Sequence, residues 1–495
     1  MSSPKVRLVA STSNPNGSLP VRNEAHAHDS FFKSVQWSAD GTTLFTSSFS
    51  NRICTFVLPE TLLEPRQSPA ELTATSALAL PEPTSAIAPC PYFALENPST
   101  QVLLTASTDH PIQLHHAFPP SSPSSTSSSH ASDTYYNDDD DDDDDDDSRT
   151  TTPSTPASSP APPPPPPTGR PRPIASFRLI KQETEAYLPI ASLLWPAPGT
   201  HFIAGTANRI ALFDVSRPDA LSPDPLLSIA TIPSARHLAK GGGVGMRGMV
   251  SALAAQPVSS AADDGGAAGW GWGLLAAGTW TRNLGVYDLL RSGDCVATWS
   301  VEGAAEEAGI GGRGVMQTLW SPCGRYLVVN ERAATGLLVY DLRGTHRLLG
   351  VLEGRDGTTN QRLSCDVFPG GERTGGFEVW AGTKDGAVVA WERVGNQEGA
   401  VQPTWAWKAH GSAVGATAMH MSGSVVATCS GAWTFVGGDS SDSSEESGSE
   451  ASTTRRGSSK PRIAVKETSL KVWSLDSGIS SQSEEAAIER GSAET

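Results

Sequence analysis

The chain has 495 residues, 38% of them hydrophobic, with 47 glycines, 13 tryptophans and a formal net charge of −17. That make-up suits a large, turn-rich all-β core and excludes a membrane-spanning helix, because no apolar run approaches a bilayer span. Ten of the negative charges lie in the unbroken run Asp138–Asp147, and five more are Asp439, Asp442, Glu445, Glu446 and Glu450 in a second polar tract. The acidity therefore belongs to solvated segments, and the part that folds is near neutral. The six cysteines are scattered without a C-x-x-C pair, which reads as buried, reduced thiols. The N-terminus lacks a charged-then-apolar signal region, so a soluble nuclear or cytoplasmic protein is expected.

In chain order, Lys5–Ala10 is a short β-like stretch standing apart from any repeat. The first repeat follows. Val35-Gln36-Trp37-Ser38-Ala39-Asp40-Gly41 leads to Leu44–Ser48, and the turn Asn51-Arg52 leads into Ile53–Phe56. The second repeat contains Gln101–Ser107 and Ile112–His115 and resumes at Ile174–Phe177. The third is Leu188–Trp195, Phe202–Thr206, Ile210–Val215 and Leu226–Ile232, and the fourth opens at Met249–Ala254 and closes with Val286–Asp288 and Val296–Trp299. The fifth has Thr318–Gly324, Tyr326–Asn330 and Leu337–Asp341; the sixth runs from Leu363–Phe368 to Thr404–Lys408. The seventh has Val414–His420, Val425–Ser430 and Leu470–Trp473. An apolar strand, a strand of small residues and a third strand ending in an aromatic make up the blade of a β-propeller, and a lone blade cannot bury both its faces.

The predicted fold is therefore an all-β, seven-bladed WD-repeat propeller. Its N-terminal segment 1–30 supplies a strand that closes the ring beside Leu470–Trp473, and the propeller spans 31–476. Low-complexity insertions at 119–173 and 437–462 and an acidic tail at 477–495 offer too little apolar area to order themselves.

No nucleophile–base pair, phosphate loop or metal-ligand spacing stands out, so no catalytic residue, metal site or cofactor is predicted. Gly241–Gly245 lacks the form of a phosphate loop, and the adjacent His115-His116 is no metal motif on its own. The polar turns between second and third strands are more telling. Asp109 and Asp385 keep the Asp that usually locks such a blade, whereas Ser50, Ala207 and Thr281 replace it, each followed by a cation in Asn51-Arg52, Asn208-Arg209 or Arg282-Asn283. Propeller topology puts these turns on one face with the loops entering each first strand, which carry Arg247, Arg313 and Arg362, while Arg332 and Lys384 lie in further turns. With Trp280 and His110 they provide cations beside flat rings, which single-stranded RNA needs. The competing reading is that exposed turns are often charged and that some of these arginines pair with Asp109, Glu331 or Asp385. The candidate RNA-binding set is Arg52, Arg209, Arg282, Asn360, Gln361, Arg362 and Lys384.

Three stretches carry a family resemblance. Asp109-His110-Pro111-Ile112 through Ala117-Phe118 resembles an E/D-x-P-I-x-x-W-D-A-F motif, with His115-His116 where that motif has Trp-Asp. Ala204-Gly205-Thr206-Ala207-Asn208-Arg209-Ile210 resembles a G-x-x-R-x-I/V turn, and Thr358-Thr359-Asn360-Gln361-Arg362 through Asp366 resembles T-T-N-Q-R-x-x-x-D. Together they are similar to the telomerase Cajal body protein family. The resemblance implies a nuclear, monomeric RNA-binding scaffold that takes small nuclear or telomerase-type RNA and ribonucleoprotein partners, with no membrane and no small-molecule substrate. The alternative is a protein-only adaptor, in a splicing complex or a ubiquitin ligase. Ser440, Ser441, Ser443, Ser444 and Ser447 lie among acidic residues, a pattern suited to phosphorylation by a casein-kinase-type enzyme.

Overall fold

A computed structural model describes residues 5–12, 30–119, 172–218, 224–232, 245–257, 272–344, 347–370, 375–436, 462–465 and 467–476. Most of both low-complexity insertions, the acidic tail and most of the Gly241–Gly245 loop lie outside them. Seven sheets of four or five strands, antiparallel apart from two short edge strands, make seven blades in a ring. The innermost strands, blade one to blade seven, are Phe32–Trp37, Thr84–Pro89, Ser192–Leu194, Val250–Pro257, Val315–Trp320, Cys365–Pro369 and Val414–Met419.

The chain forms blades because its second strands bury both faces. In His201–Thr206 of blade three, Phe202 and Ala204 join the cluster shared with blade two, and Ile203 joins the one shared with blade four. Alternate residues of a strand point to opposite faces, so an all-apolar strand suits a position packed on both sides. Seven apolar clusters among the described residues lie one at each blade–blade junction, and a smaller one joins Met316, Leu363 and Ala413. Each fully buried Phe or Leu in them stabilises the fold by roughly 1.5–3 kcal/mol.

The small residues of the second strands have a steric cause. A Cβ on Gly278 would lie 2.4 Å from Val315 Cγ1, and one on Gly382 would lie 2.5 Å from the Val414 carbonyl oxygen. Each blade meets the first residue of the next innermost strand at this level, and only a small side chain leaves room. Polar braces run the same way around the ring. Lys33 donates to the Thr84 carbonyl, Ser192 to Val250, Gln317 to Cys365 and Ser364 to Gly415 at 2.8, 2.8, 2.8 and 3.3 Å. Ser251 makes the corresponding bond to Val315.

Ring closure joins the two ends of the chain. Lys5–Ser11 pairs antiparallel with Ser469–Asp476, which pairs in turn with Val425–Ser430. Beneath this seam Trp473 donates to Thr428 Oγ1 at 2.8 Å, Thr428 meets His410 Nε2 at 2.7 Å, and His410 Nδ1 meets Ser469 Oγ at 3.0 Å. Burial holds His410 below its usual pKa. Glu467, bonded to His410 and to Lys471 at 3.1 Å, is held well below the usual carboxylate range.

Several elements depart from the sequence reading. Blade one takes its outer strand from Ser76–Ala79, and blade two starts at Thr84–Pro89. Both are short segments rich in Ala, Ser and Thr, with little period-two contrast. Parallel strands Ala70–Glu71 and Gly399–Val401 cover the outer edges of blades seven and five. A one-and-a-half-turn helix, Glu302–Glu307, packs Ala305 beside Val301 and Ile310. A hairpin, Trp433–Val436 with Arg462–Val465, extends into the second insertion, so Arg462 belongs to a strand. The expectation for cysteines holds for Cys54, Cys365 and Cys429, while Cys90 is half-buried; Cys295 and Cys323 are exposed, because they lie on an outer strand and in a turn.

His115 occupies the place of the aromatic that ends the third strand. It lies opposite Leu103 as Phe213 lies opposite Phe202, and it is buried. Its Nε2 is 3.3 Å from Gln113 Oε1, and its Nδ1 has no hydrogen-bond partner among the described residues. Burial and then His116 bring its pKa down to about 4. Being neutral when folded and protonated near 6.5 when unfolded, it contributes stability that is complete above about pH 6.5 and is lost as pH falls towards 4, by up to roughly 3 kcal/mol. His115→Phe should raise Tm and flatten the acid side of a Tm–pH profile. An unchanged profile would show that blade two does not depend on this imidazole.

Candidate nucleic-acid interface

The face that gathers the second-to-third strand turns and the entry loops surrounds a central cavity of about 590 Å³. Lys33, Arg332, Arg362, Asn360, Gln361, Phe49 and Asp366 are among its lining residues. Lys33 and Asp366 stand near the starts of innermost strands, where Lys33 reaches the Thr84 carbonyl of blade two and Asp366 accepts from the Met419 N–H of blade seven.

Turn conformation decides where the predicted arginines go. Asn51, Asp109, Asn208 and Arg282 have φ of 57, 55, 55 and 62°, so each occupies the left-handed position of its turn. Asn and Asp tolerate that region, whereas another L-residue costs about 1–2 kcal/mol there. Arg52 and Arg209 follow this residue at the start of a strand and make no side-chain hydrogen bond or ion pair among the described residues. Arg282 is itself the left-handed residue, and it turns towards blade five. Its Nε lies 2.9 Å from buried Glu331 and its Nη1 lies 3.3 Å from Glu302, so it fastens two blades and is not an open cation. Arg247 and Arg313 are exposed on the same face. Lys384 is exposed and donates to Thr358 Oγ1 at 3.2 Å. Asp385 is 3.7 Å from Lys408.

The Thr358–Arg362 motif divides into bracing and open groups. Thr358 is held by Asp356, whose pKa falls chiefly through that bond, and Gln361 Nε2 donates to the Gly431 carbonyl of blade seven at 2.7 Å. Arg362 Nη2 donates to Met316 of blade five at 2.7 Å. Asn360 is exposed, and its amide makes no hydrogen bond among the described residues. Below the motif lies Arg355, only 2% exposed, which the sequence reading did not single out. It donates to Gly382 O, Asn330 Oδ1 and Leu363 O at 3.0, 2.7 and 2.7 Å. Asn330 stands where the other blades carry Ser47, Ala106, Gly205, Gly278, Gly382 and Cys429; that exchange makes room for the buried guanidinium and satisfies it.

An aromatic group beside the mouth was also missed. Phe31, Phe49 and Trp433 have centroids 4.4, 5.3 and 5.7 Å apart, and Lys33 Nζ lies 5.2 Å from the Phe49 centroid. Phe31 is buried beneath, while Phe49 and Trp433 remain 44% and 41% exposed. An aromatic inside the polar turn Ser48-Phe49-Ser50 was the available signal. Trp433 precedes a low-complexity tract that obscured it. Trp280 is 52% exposed on the same face. The five serines of the predicted phosphorylation tract lie outside the described residues. Among the described residues no three His, Cys, Asp or Glu side chains cluster as a metal site, and no helix is long and apolar enough to cross a membrane.

No family model matches the chain. Human Telomerase Cajal body protein 1 is 23% identical over 436 residues, 86% of this chain and 62% of the relative. The Mesocricetus auratus protein of that name is 23% identical over 419 residues, 83% and 60% of the two chains. This chain is a WD-repeat propeller related to the telomerase Cajal body proteins. Guanine nucleotide-binding protein negative regulator 1 of Schizosaccharomyces pombe is 25% identical over 217 residues, 44% of this chain and 46% of the relative. The aligned residues thus span about half to three-fifths of these relatives.

The two kinds of polar group in the motif should respond differently to mutation. Gln361→Ala should cost about 1 kcal/mol, the net worth of a neutral hydrogen bond. Arg282→Ala, which leaves Glu331 without its partner, should cost roughly 2–3 kcal/mol. Asn360→Ala should cost almost nothing. Urea titrations of the three variants test this, and equal losses for Asn360 and Gln361 would contradict the division.

Proposed function

We propose that this chain is a non-catalytic RNA-binding scaffold that acts in the nucleus, in the assembly or localisation of small ribonucleoproteins, with RNA seated on the face around the channel mouth. One observation carries the reading: rim cations (Arg52, Arg209 and Lys384) share the entry face with two exposed rings, Phe49 and Trp433, and an uncommitted amide, Asn360. Phosphate neutralisation, base stacking and edge recognition are the three contacts single-stranded RNA requires. Arg282 and Gln361 serve this site by holding blades in place. Arg362 does both, because one of its donors is spent on Met316 while its side chain still lines the cavity. The names of the relatives support a ribonucleoprotein setting, and small nuclear or telomerase-type RNA is the proposed class.

The test is a salt titration of binding to a random-sequence single-stranded RNA pool. An Arg52/Arg209/Lys384 triple alanine variant should bind more weakly, with the salt slope reduced by roughly 0.7 per lost phosphate contact. Asn360→Ala should leave the slope intact and lower discrimination among sequences. Equal affinity and slope for wild type and the triple variant would overturn the reading in favour of a protein-only adaptor.

A further inference from the structure

The cations inside the channel differ from those on the rim. Lys33, Arg332 and Arg362 all line the central cavity and influence one another: Arg362 disfavours the charge on Lys33, and Arg332 disfavours that on Arg362. Burial is the larger cause for Lys33, whose ammonium falls to about 8 with Arg362 as the second cause; Arg362 itself stays exposed. Among the described residues no carboxylate lies within ion-pair distance of any of the three. Asp366 lines the same cavity, but its two oxygens accept from the Val367 and Met419 backbone N–H groups at 2.8 and 2.7 Å, and burial raises its pKa to about 6. Arg355 and Arg282 are better partnered: Arg355 donates to three oxygens, and Arg282 holds Glu331.

The channel cations are satisfied only in part. Lys33 and Arg362 each have one carbonyl contact, and Arg332 has no side-chain contact among the described residues. Arg and Lys present five and three donors respectively, so most of the donors in this cluster are left to the cavity. Three like charges crowded in a partly desolvated space destabilise the fold unless an anion offsets them. The cavity walls also carry the Ser34 and Ser47 hydroxyls, which bond each other at 2.6 Å, and that of Ser85, which donates to the Ala106 carbonyl at 3.2 Å. Guanidinium and ammonium groups beside hydroxyls recognise tetrahedral oxyanions.

We infer that the mouth of the channel is a binding site for a multiply charged phosphate group, held by Lys33, Arg332 and Arg362. A threefold positive cluster matches a terminal phosphate monoester or a free oligophosphate better than an internal phosphodiester, which carries a single charge. The inference deepens the RNA reading where the group is the 5′-terminal phosphate of a bound RNA, and it stands apart from that reading where the group is a free small molecule.

Calorimetric titration of the full chain with inorganic pyrophosphate tests the site. Wild type should bind, and Arg332→Met and Lys33→Met should each weaken binding by about tenfold, the loss of one charge-assisted contact. Arg347→Met, on an exposed outer strand, should leave it unchanged. A 5′-phosphorylated RNA that binds more tightly than its 5′-hydroxyl twin assigns the site to RNA ends. Equal RNA affinities, with pyrophosphate still bound through Arg332 and Lys33, assign it to a free oligophosphate. Absence of pyrophosphate binding by wild type, or binding by Arg332→Met and Lys33→Met that equals that of wild type, overturns the inference. Salt-dependent RNA binding would then still stand, since the rim cations are mutated separately.

Discussion

Everything on the entry face depends on how neighbouring blades approach one another. Small second-strand residues let the next innermost strand come within van der Waals reach, as Gly278 does for Val315. Polar side chains on the innermost strands, or just before them, then bond the following blade's backbone in the same rotational sense. The ring holds only if its last junction is as good as the others, and there the chain ends meet, Lys5–Ser11 against Ser469–Asp476. With the innermost strands fixed, the entry loops and turns have little freedom. The cations they carry are therefore placed by the scaffold and need not be held by partners of their own.

The junction between blades five and six works differently. Asn330 replaces a small residue, and Arg355 enters with its charge shared among an amide and two carbonyl oxygens. Burying a guanidinium is costly unless each donor finds an acceptor. Here the acceptors include the carbonyl of Leu363, the residue after Arg362. The polar motif is thus anchored from below by Arg355 and from the sides by Gln361 and Arg362, which leaves Asn360 as its open group. An exposed amide on a rigid base can discriminate a ligand at little entropic cost, because the loop is already ordered.

The repeat made the seven blades legible, because an apolar strand, a strand of small residues and an aromatic-ended strand follow from two-sided burial. The closing strand Lys5–Ser11 was legible as an element without neighbours in sequence. Outer strands such as Ser76–Ala79 were not, since a half-exposed edge imposes little pattern. Among the site residues, sequence placed Arg52, Arg209 and Arg282 in equivalent turns, and only the backbone separated them: one position in register puts Arg282 on the left-handed residue and turns it towards Glu331. Lys33 was missed because it lies within a strand, and its nearness to Arg362, more than 300 positions along the chain, exists only in the closed ring.

The claim that the channel mouth receives RNA is tested most directly by ultraviolet crosslinking of the full chain to its bound RNA, with the crosslinked residues located by mass spectrometry. The account predicts adducts on Phe49, Trp433 and the 358–362 segment. Adducts confined to the opposite face, at Met421, or to the outer strands, would contradict it.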